Sequence, residues 1–359
     1  MAKDTAKKKT GTKPGMDTTI TSGEKSTKKI EDYKQTHPVQ LSLFEMLLPE
    51  EKKFSNTVEL YDFIPKYHWG KAKRIDGEFL RSLNREFECR GKKYNVKVDP
   101  AKITESDGVS RDYYPSKREE LVEDALRKLA TEGQGVFLDD AAGVTFTIYQ
   151  LQRELQQNGH SYSHDQIKDA LMVCAKTNLT VTSDNGDTIL VSSIFETLGL
   201  QTREDWAGTG EKTRAFVRFN PLVTQGIKSG QFRQLNYEKS MRYKTVIARQ
   251  LHKRMSHHYT QASFTNLYTI LLSTIIRDFG LTPYAKLTLN LRDCLTALEE
   301  MKENHVILNY KVDKTIDNKN RNKLLEAKFT ITPDPRFADE MKMANIKQKQ
   351  ITERTGSKK

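Results

Sequence analysis

Arg242, Arg249 and Lys253 are spaced so that, at about 100° per residue, they fall in one narrow helical stripe with Lys239 beside them, while Ile247, Leu251 and Met255 fall opposite. No acid occurs from Lys239 to Arg254. A solvated helix face normally mixes signs, so an unmixed stripe reads as a surface for nucleic-acid phosphates, with a plain solvated face as the competing reading. Other sets of reactive residues fall short. His252, His257 and His258 cluster near the end of the expected helix, and His160 and His164 stand four apart, but no carboxylate completes a metal set at ligand spacing. The run Gly208 to Thr213 imitates a phosphate loop, yet Glu211 stands where a glycine should precede Lys212, and Trp206 where the first glycine belongs. Cys89, Cys174 and Cys294 lie far apart and read as reduced thiols. The expectation is therefore no catalytic residue, no metal and no cofactor, and a protein that is not an enzyme.

Where the charge sits matters more than its total. The 359 residues carry a formal charge of +12. Residues 212–254 hold eleven bases against the single acid Glu238, whereas residues 31–211 hold 23 bases and 31 acids. The two ends are basic as well, with eight Lys and three acids in residues 1–30 and six bases and two acids in residues 340–359. The chain is electrically polarised, and its basic part is local. A hydrophobic fraction of 36% supports two ordinary domains with polar extensions. No apolar run approaches the roughly 18 residues that span a membrane, so the expected location is the cytoplasm.

The elements that must position these residues follow from local signals. Ser116 with Glu119, Thr147 with Gln150 and Ser163 with Gln166 each fit a capping box, and each precedes apolar residues at helical spacing. The second and third of these helices are separated only by Asn158 to Tyr162, which is helix-turn-helix spacing. Two β-rich runs follow, beginning at Leu179 and Thr188, joined across Asp184 to Asp187, where Asn185 and Gly186 suit a type I′ turn. Helix, helix-turn-helix and hairpin describe a winged helix. The order recurs as a helix from about Lys239 to Ser256, a second carrying Leu267, Ile270, Leu271 and Ile275 and stopping at Gly280, and a third with Leu291, Leu295, Leu298 and Met301. Strands Val306 to Val312 and Leu324 to Ile331 then flank a polar tip at 317–323. Segments Phe79 to Glu88 and Lys93 to Val98 predict an added sheet element before the first unit.

The predicted fold is α+β: two tandem winged helices with a disordered N-terminal arm and C-terminal tail. The expected boundaries are a basic arm at 1–37, a linear motif at 38–48, a first winged helix with its added sheet element at 49–234, a second at 235–338 and a basic tail at 339–359. A winged helix reads DNA with its third helix in the major groove while the wing touches phosphates. In the second unit that helix exposes Arg292 and Thr296, approached by Lys286 and Thr288, and the wing carries Lys319, Arg321 and Lys323. In the first unit Asp165, Asp169, Asp184 and Asp187 would repel phosphate, which leaves Ser161, Tyr162 and Lys168 as its contacts and frees that unit to meet protein.

Ahead of the folded body stand Gln40, Leu41, Ser42, Leu43 and Phe44, with an amide and two adjacent apolar side chains suited to a hydrophobic pocket. An amphipathic helix start through Leu41, Phe44, Leu47 and Leu48 is the competing reading. The five residues resemble the peptide by which bacterial proteins bind the polymerase sliding clamp. Together with the run Val144 to Leu151 and the tandem winged helices, the chain over about residues 38–335 resembles the plasmid replication initiator family, most closely the broad-host-range IncP type. That resemblance implies a bacterial cytoplasmic protein that binds repeated origin sequences (iterons) in double-stranded DNA. It also implies recruitment of the sliding clamp, the host initiator and the replicative helicase, with a homodimer as a further partner state. The third helix of the second unit does not repeat the family's basic residues one for one, and Arg292 is its best match. The alternative is a dimeric winged-helix transcriptional repressor, which leaves the clamp-like peptide without a role. A nicking initiator is the enzymatic alternative, and the sequence does not offer the His-apolar-His pair and partnered Tyr that it would need.

Overall fold

The computed structural model describes residues 53–72, 79–105, 107–200, 215–260, 263 and 265–355. The arm at 1–37, the motif at Gln40 to Phe44 and the loop at 208–213 lie outside the described residues. The described chain opens with β1 (Phe54–Thr57) and the short α1 (Glu59–Phe63), then the hairpin β2 (Leu83–Cys89) and β3 (Lys92–Asp99). That hairpin turns at Arg90 and Gly91, both left-handed. A smaller hairpin, β4 (Ala101–Thr104) and β5 (Ser110–Tyr113), leads to α2 (Lys117–Leu129).

All three capping signals form. The Glu119 carboxylate accepts from the Ser116 backbone N–H at 2.8 Å and hydroxyl at 2.7 Å. After the hairpin β6 (Gly135–Leu138) and β7 (Ala141–Phe146), Thr147 and Gln150 cap α3 (Ile148–Gln157), and Ser163 and Gln166 cap α4 (His164–Lys176), each pair exchanging two bonds of 2.9–3.2 Å. Gly159 supplies the left-handed residue between these helices at φ 84°.

The hairpin β8 (Asn178–Ser183) and β9 (Thr188–Ser193) follows as expected, with a different turn. Only Gly186 takes a positive φ, and the ladder shifts register between Val181 and Thr182, so a bulged loop replaces the type I′ turn. The added element β2–β3 extends this wing into one antiparallel sheet of order β2-β3-β8-β9. A separate sheet, β10-β11-β7-β6, is completed by β10 (Phe195–Gly199) and β11 (Ala215–Phe219). Then α5 (Pro221–Lys228) precedes β12 (Arg233–Asn236), which pairs back with β1.

The second unit departs from expectation in two places. The single helix expected from Lys239 to Ser256 is two, α6 (Tyr237–Arg242) and α7 (Val246–His258), broken at fully buried Tyr243. The break is stable because backbone donors freed at Lys244 and Thr245 bond the Glu300 carboxylate, and the Thr245 hydroxyl caps Ala248 N. The residues expected to begin the next helix instead form β13 (Tyr268–Leu271), paired with Lys328 to Ile331, and α8 (Leu272–Asp278) starts only after it. Sheet pairing overrides the helical spacing of Leu267, Ile270 and Leu271. The third helix, α9 (Leu287–Glu303), and the wing strands β14 (Ile307–Asp317) and β15 (Lys323–Pro333) complete a winged helix of sheet order β13-β15-β14.

The C-terminal segment also differs. Of the disordered tail expected at 339–359, the residues through Thr355 instead continue α10 (Pro335–Thr355), which buries Phe337, Met341, Ala344 and Ile351. Phe337 and Met341 join the core of the second unit and Ile351 that of the first. The crossover between the two cores falls between Met241 and Tyr243.

Candidate nucleic-acid interface

The sequence-predicted contacts divide into two groups. Buried Leu291, Cys294, Leu298 and Met301 pack α9 onto its unit, so Thr288, Arg292 and Thr296 stand exposed on the opposite face, with Lys286 at its start. Arg292 is 69% exposed, and its nearest carboxylate is Asp293 at 3.5 Å. Lys319, Arg321 and Lys323 are exposed at the wing tip, where Arg321 and Asn322 turn the chain with left-handed φ of 49° and 52°. The fold therefore brings these seven residues onto the third helix and wing of one winged helix. Exposed Lys311 and Lys328 along the wing strands were not singled out from sequence; each stands between apolar neighbours, and that alternation is the signal that identifies them, though Lys311 pairs with Asp313 at 2.8 Å.

The stripe is different, and here the expectation is corrected. Arg249 is fully buried, its Nε 3.2 Å from Glu120 Oε2. Lys253 is also buried, with Nζ 2.7 Å from Asp124 and 3.4 Å from Glu120, and Gln250 donates to Glu120 at 2.6 Å. Both bases thus face α2 of the first unit, because an unpaired charge buried there would cost several kcal/mol. Burial alone would pull the Lys253 ammonium down, but Asp124 and Glu120 outweigh it and hold the group above its ordinary value. Lys239 pairs with Glu340 at 3.0 Å, and only Arg242 remains largely exposed, 3.8 Å from Glu238. The helical-wheel projection also fails across the break at Tyr243, which puts Lys239 and Arg242 on a different helix from Arg249 and Lys253.

A second ionic group adjoins the first. Arg127 contacts Asp62 at 2.8 Å and Glu123 at 3.1 Å, and Lys66 lies 3.9 Å from Glu123, all nearly inaccessible. Of the three clustered histidines, His252 and His257 belong to the interior too, while His258 is exposed. His252 sits edge-on between Tyr243 and Phe337, and His257 against Phe63, and burial pushes each imidazole down to about 3. They are uncharged packing groups rather than phosphate contacts or surface residues.

In the first unit, α4 exposes His164, Asp165, Lys168 and Asp169, and Lys168 lies 3.9 Å from Asp165. Tyr162 is half-buried against the core, and burial raises its phenol. This face is of mixed sign. Among the described residues no group of three or more His, Cys, Asp or Glu could hold a metal ion, and no helix is long and apolar enough to cross a membrane.

Removing one partner of the buried pair gives a direct measure of the seam. Glu120→Ala should destabilise the fold by about 3–5 kcal/mol in urea unfolding, since it strands Arg249 in the interior. Glu120→Ala combined with Arg249→Met should cost less than the two single changes summed. Strict additivity would mean the pair does not interact.

No family model matches this chain, and neither does any curated protein sequence. Among solved structures it is similar to domains 2 and 3 of RctB, at 11% identity over 73% of this chain and 95% of that one, with a TM-score of 0.45. A second structure of RctB domains 2–3 gives 10% identity, 76% and 98% coverage and a TM-score of 0.43. The Pi initiator protein in complex with iteron DNA gives 14%, 80% and 100%, with a TM-score of 0.34. At these scores the likeness decides nothing, and the fold rests on the chain's own topology.

Proposed function

We propose that this chain is a replication initiator that binds repeated sequences at a plasmid origin, laying α9 in the major groove and the β14–β15 tip along the backbone. The observation that carries the DNA contact is electrostatic. Among the described residues, Lys286, Lys319, Arg321 and Lys323 have no carboxylate within salt-bridge distance, and they flank Arg292 on the exposed side of a winged helix. Unmatched cations on a recognition helix and wing suit a polyanion, and an Arg with a free guanidinium edge suits guanine. The initiator role rests on the resemblance of Gln40 to Phe44 to a clamp ligand joined to this DNA-binding body. In this reading the host initiator and helicase are the other partners.

A dimeric repressor is the second reading, and one feature favours it. The edge strand β9 exposes Ile189 (43%) and Val191 (59%), an apolar edge able to meet a second copy. Footprinting on the DNA around the protein's own gene separates the two: repeated protected sites about two helical turns apart support an initiator, and one operator supports a repressor.

Arg292→Ala should cost about 1–3 kcal/mol at one base position and relax preference there, whereas Lys319→Ala should weaken all sequences alike. Identical effects would reject the division into reader and anchor. Replacing Leu43 and Phe44 by Ala should abolish capture by the sliding clamp and leave DNA binding intact. Undiminished capture would remove the clamp from the proposal.

A further inference from the structure

The ionic seam between the units is balanced in charge: Glu120 and Asp124 of the first face Arg249 and Lys253 of the second, and behind them Asp62 and Glu123 pair with Lys66 and Arg127 within the first unit. At its outer edge two lysines are left over. Lys117 begins α2 in the first unit, and Lys244 stands in the break before α7 in the second. The Lys117 ammonium donates to the Lys244 carbonyl at 3.1 Å, which holds the two residues side by side, and neither makes a salt bridge among the described residues. Burial and then the Arg249 charge beneath it pull Lys117 down, opposed only in part by Glu120 and Glu300. A further negative group above this edge would relieve that strain on the charged form.

The position of the pair is as telling as its charge. His160, in the turn between α3 and α4, bonds the Met241 carbonyl at 2.8 Å, just ahead of the break. On the other side, Glu300 of α9 accepts from the Thr245 backbone at 3.1 Å and hydroxyl at 2.6 Å. Thr245 also lines one groove of about 520 Å³ with Asn290, Asp293 and Thr296 of α9. Lys244 is therefore placed between the first helix-turn-helix and the recognition helix of the second, exposed to solvent.

We propose that Lys117 and Lys244 form a phosphate seat between the two helix-turn-helix motifs, on which the backbone of the same DNA duplex engaged by α9 rests. This deepens the DNA-binding reading above and depends on it. A duplex in contact with α9 and its wing carries a continuous line of phosphates past that helix, and the seat is the adjoining surface whose cations the protein leaves unmatched. One lysine comes from each unit, so occupancy of the seat would couple both units to one duplex.

The test uses the full chain and a DNA duplex long enough to span both motifs, with affinity measured against salt concentration. Lys117→Gln with Lys244→Gln should weaken specific and unrelated duplexes alike, by roughly tenfold or more near 0.1 M salt, and make the slope of log affinity on log salt shallower by about 1.8. Lys244→Gln alone, a change at an exposed side chain, should remove about half of that, which keeps the test valid if the double variant folds poorly. Arginine at both positions should restore binding. Unchanged affinity and slope, or no rescue by arginine, would overturn the seat and leave an acidic protein segment as the pair's partner. Arg292→Ala run in parallel separates the two ideas: altered base preference there beside an inert lysine variant sinks only the seat. Failure of the unmodified chain to bind any duplex sinks both.

Discussion

Glu120 and Asp124 lie four residues apart on α2, Arg249 and Lys253 four apart on α7, and the meeting of these two ladders sets the arrangement of both winged helices. Opposite charges at matching helical spacing fix the register in which the helices pack, since a slip by one turn would leave a buried charge unmatched at several kcal/mol. Neighbouring contacts have the same sense. Trp69 donates to the Phe279 carbonyl at 2.7 Å, Arg277 reaches Glu88 at 3.3 Å, and α10 lays apolar residues into both cores. Such a seam contributes less to stability than apolar packing of equal volume would. Its consequence is a defined orientation of the two winged helices.

That use of charge redistributes the surface. The stretch richest in bases, residues 212–254, spends Arg249 and Lys253 on the first unit's acids and Lys239 on Glu340. The acidity of residues 31–211 is thus partly the complement of the chain's own basic helix rather than a surface held for another protein. Of the bases in that stretch, Arg242 and Lys244 remain exposed, and Arg292, Lys319, Arg321 and Lys323 on α9 and the wing beyond it also face solvent. The histidines near that helix follow the same logic, since His252 and His257 fill apolar space uncharged.

The elements most legible in the sequence are those whose energetics are local. Ser163 and Gln166 find each other three residues apart, Gly159 needs only its own φ, and the strands of the second wing follow from alternation. From these alone the tandem winged-helix order and the exposed set on α9 and the wing could be read. The misread elements share a different cause. The strand Tyr268–Leu271 exists because β15 is there to pair with it, and the break at Tyr243 persists because Glu300, far along the chain, accepts the exposed backbone donors. The tail is a helix because both cores offer it a place to bury Phe337 and Ile351.

Residue types and spacing by themselves determined the order of helices and hairpins, the third helix of the second unit and the polarised distribution of charge. They could not determine which charges meet water. Lys253 and Asp124 are 129 positions apart, and no periodicity along either helix records that distance. Whether a base is a solvated surface group or half of a buried pair depends on what the fold sets opposite it, because the cost of desolvating a charge is offset only by a partner within a few ångströms. Tertiary structure therefore removed Arg249 and Lys253 from the cationic surface and left exposed the bases of α9 and the wing that the sequence had already singled out.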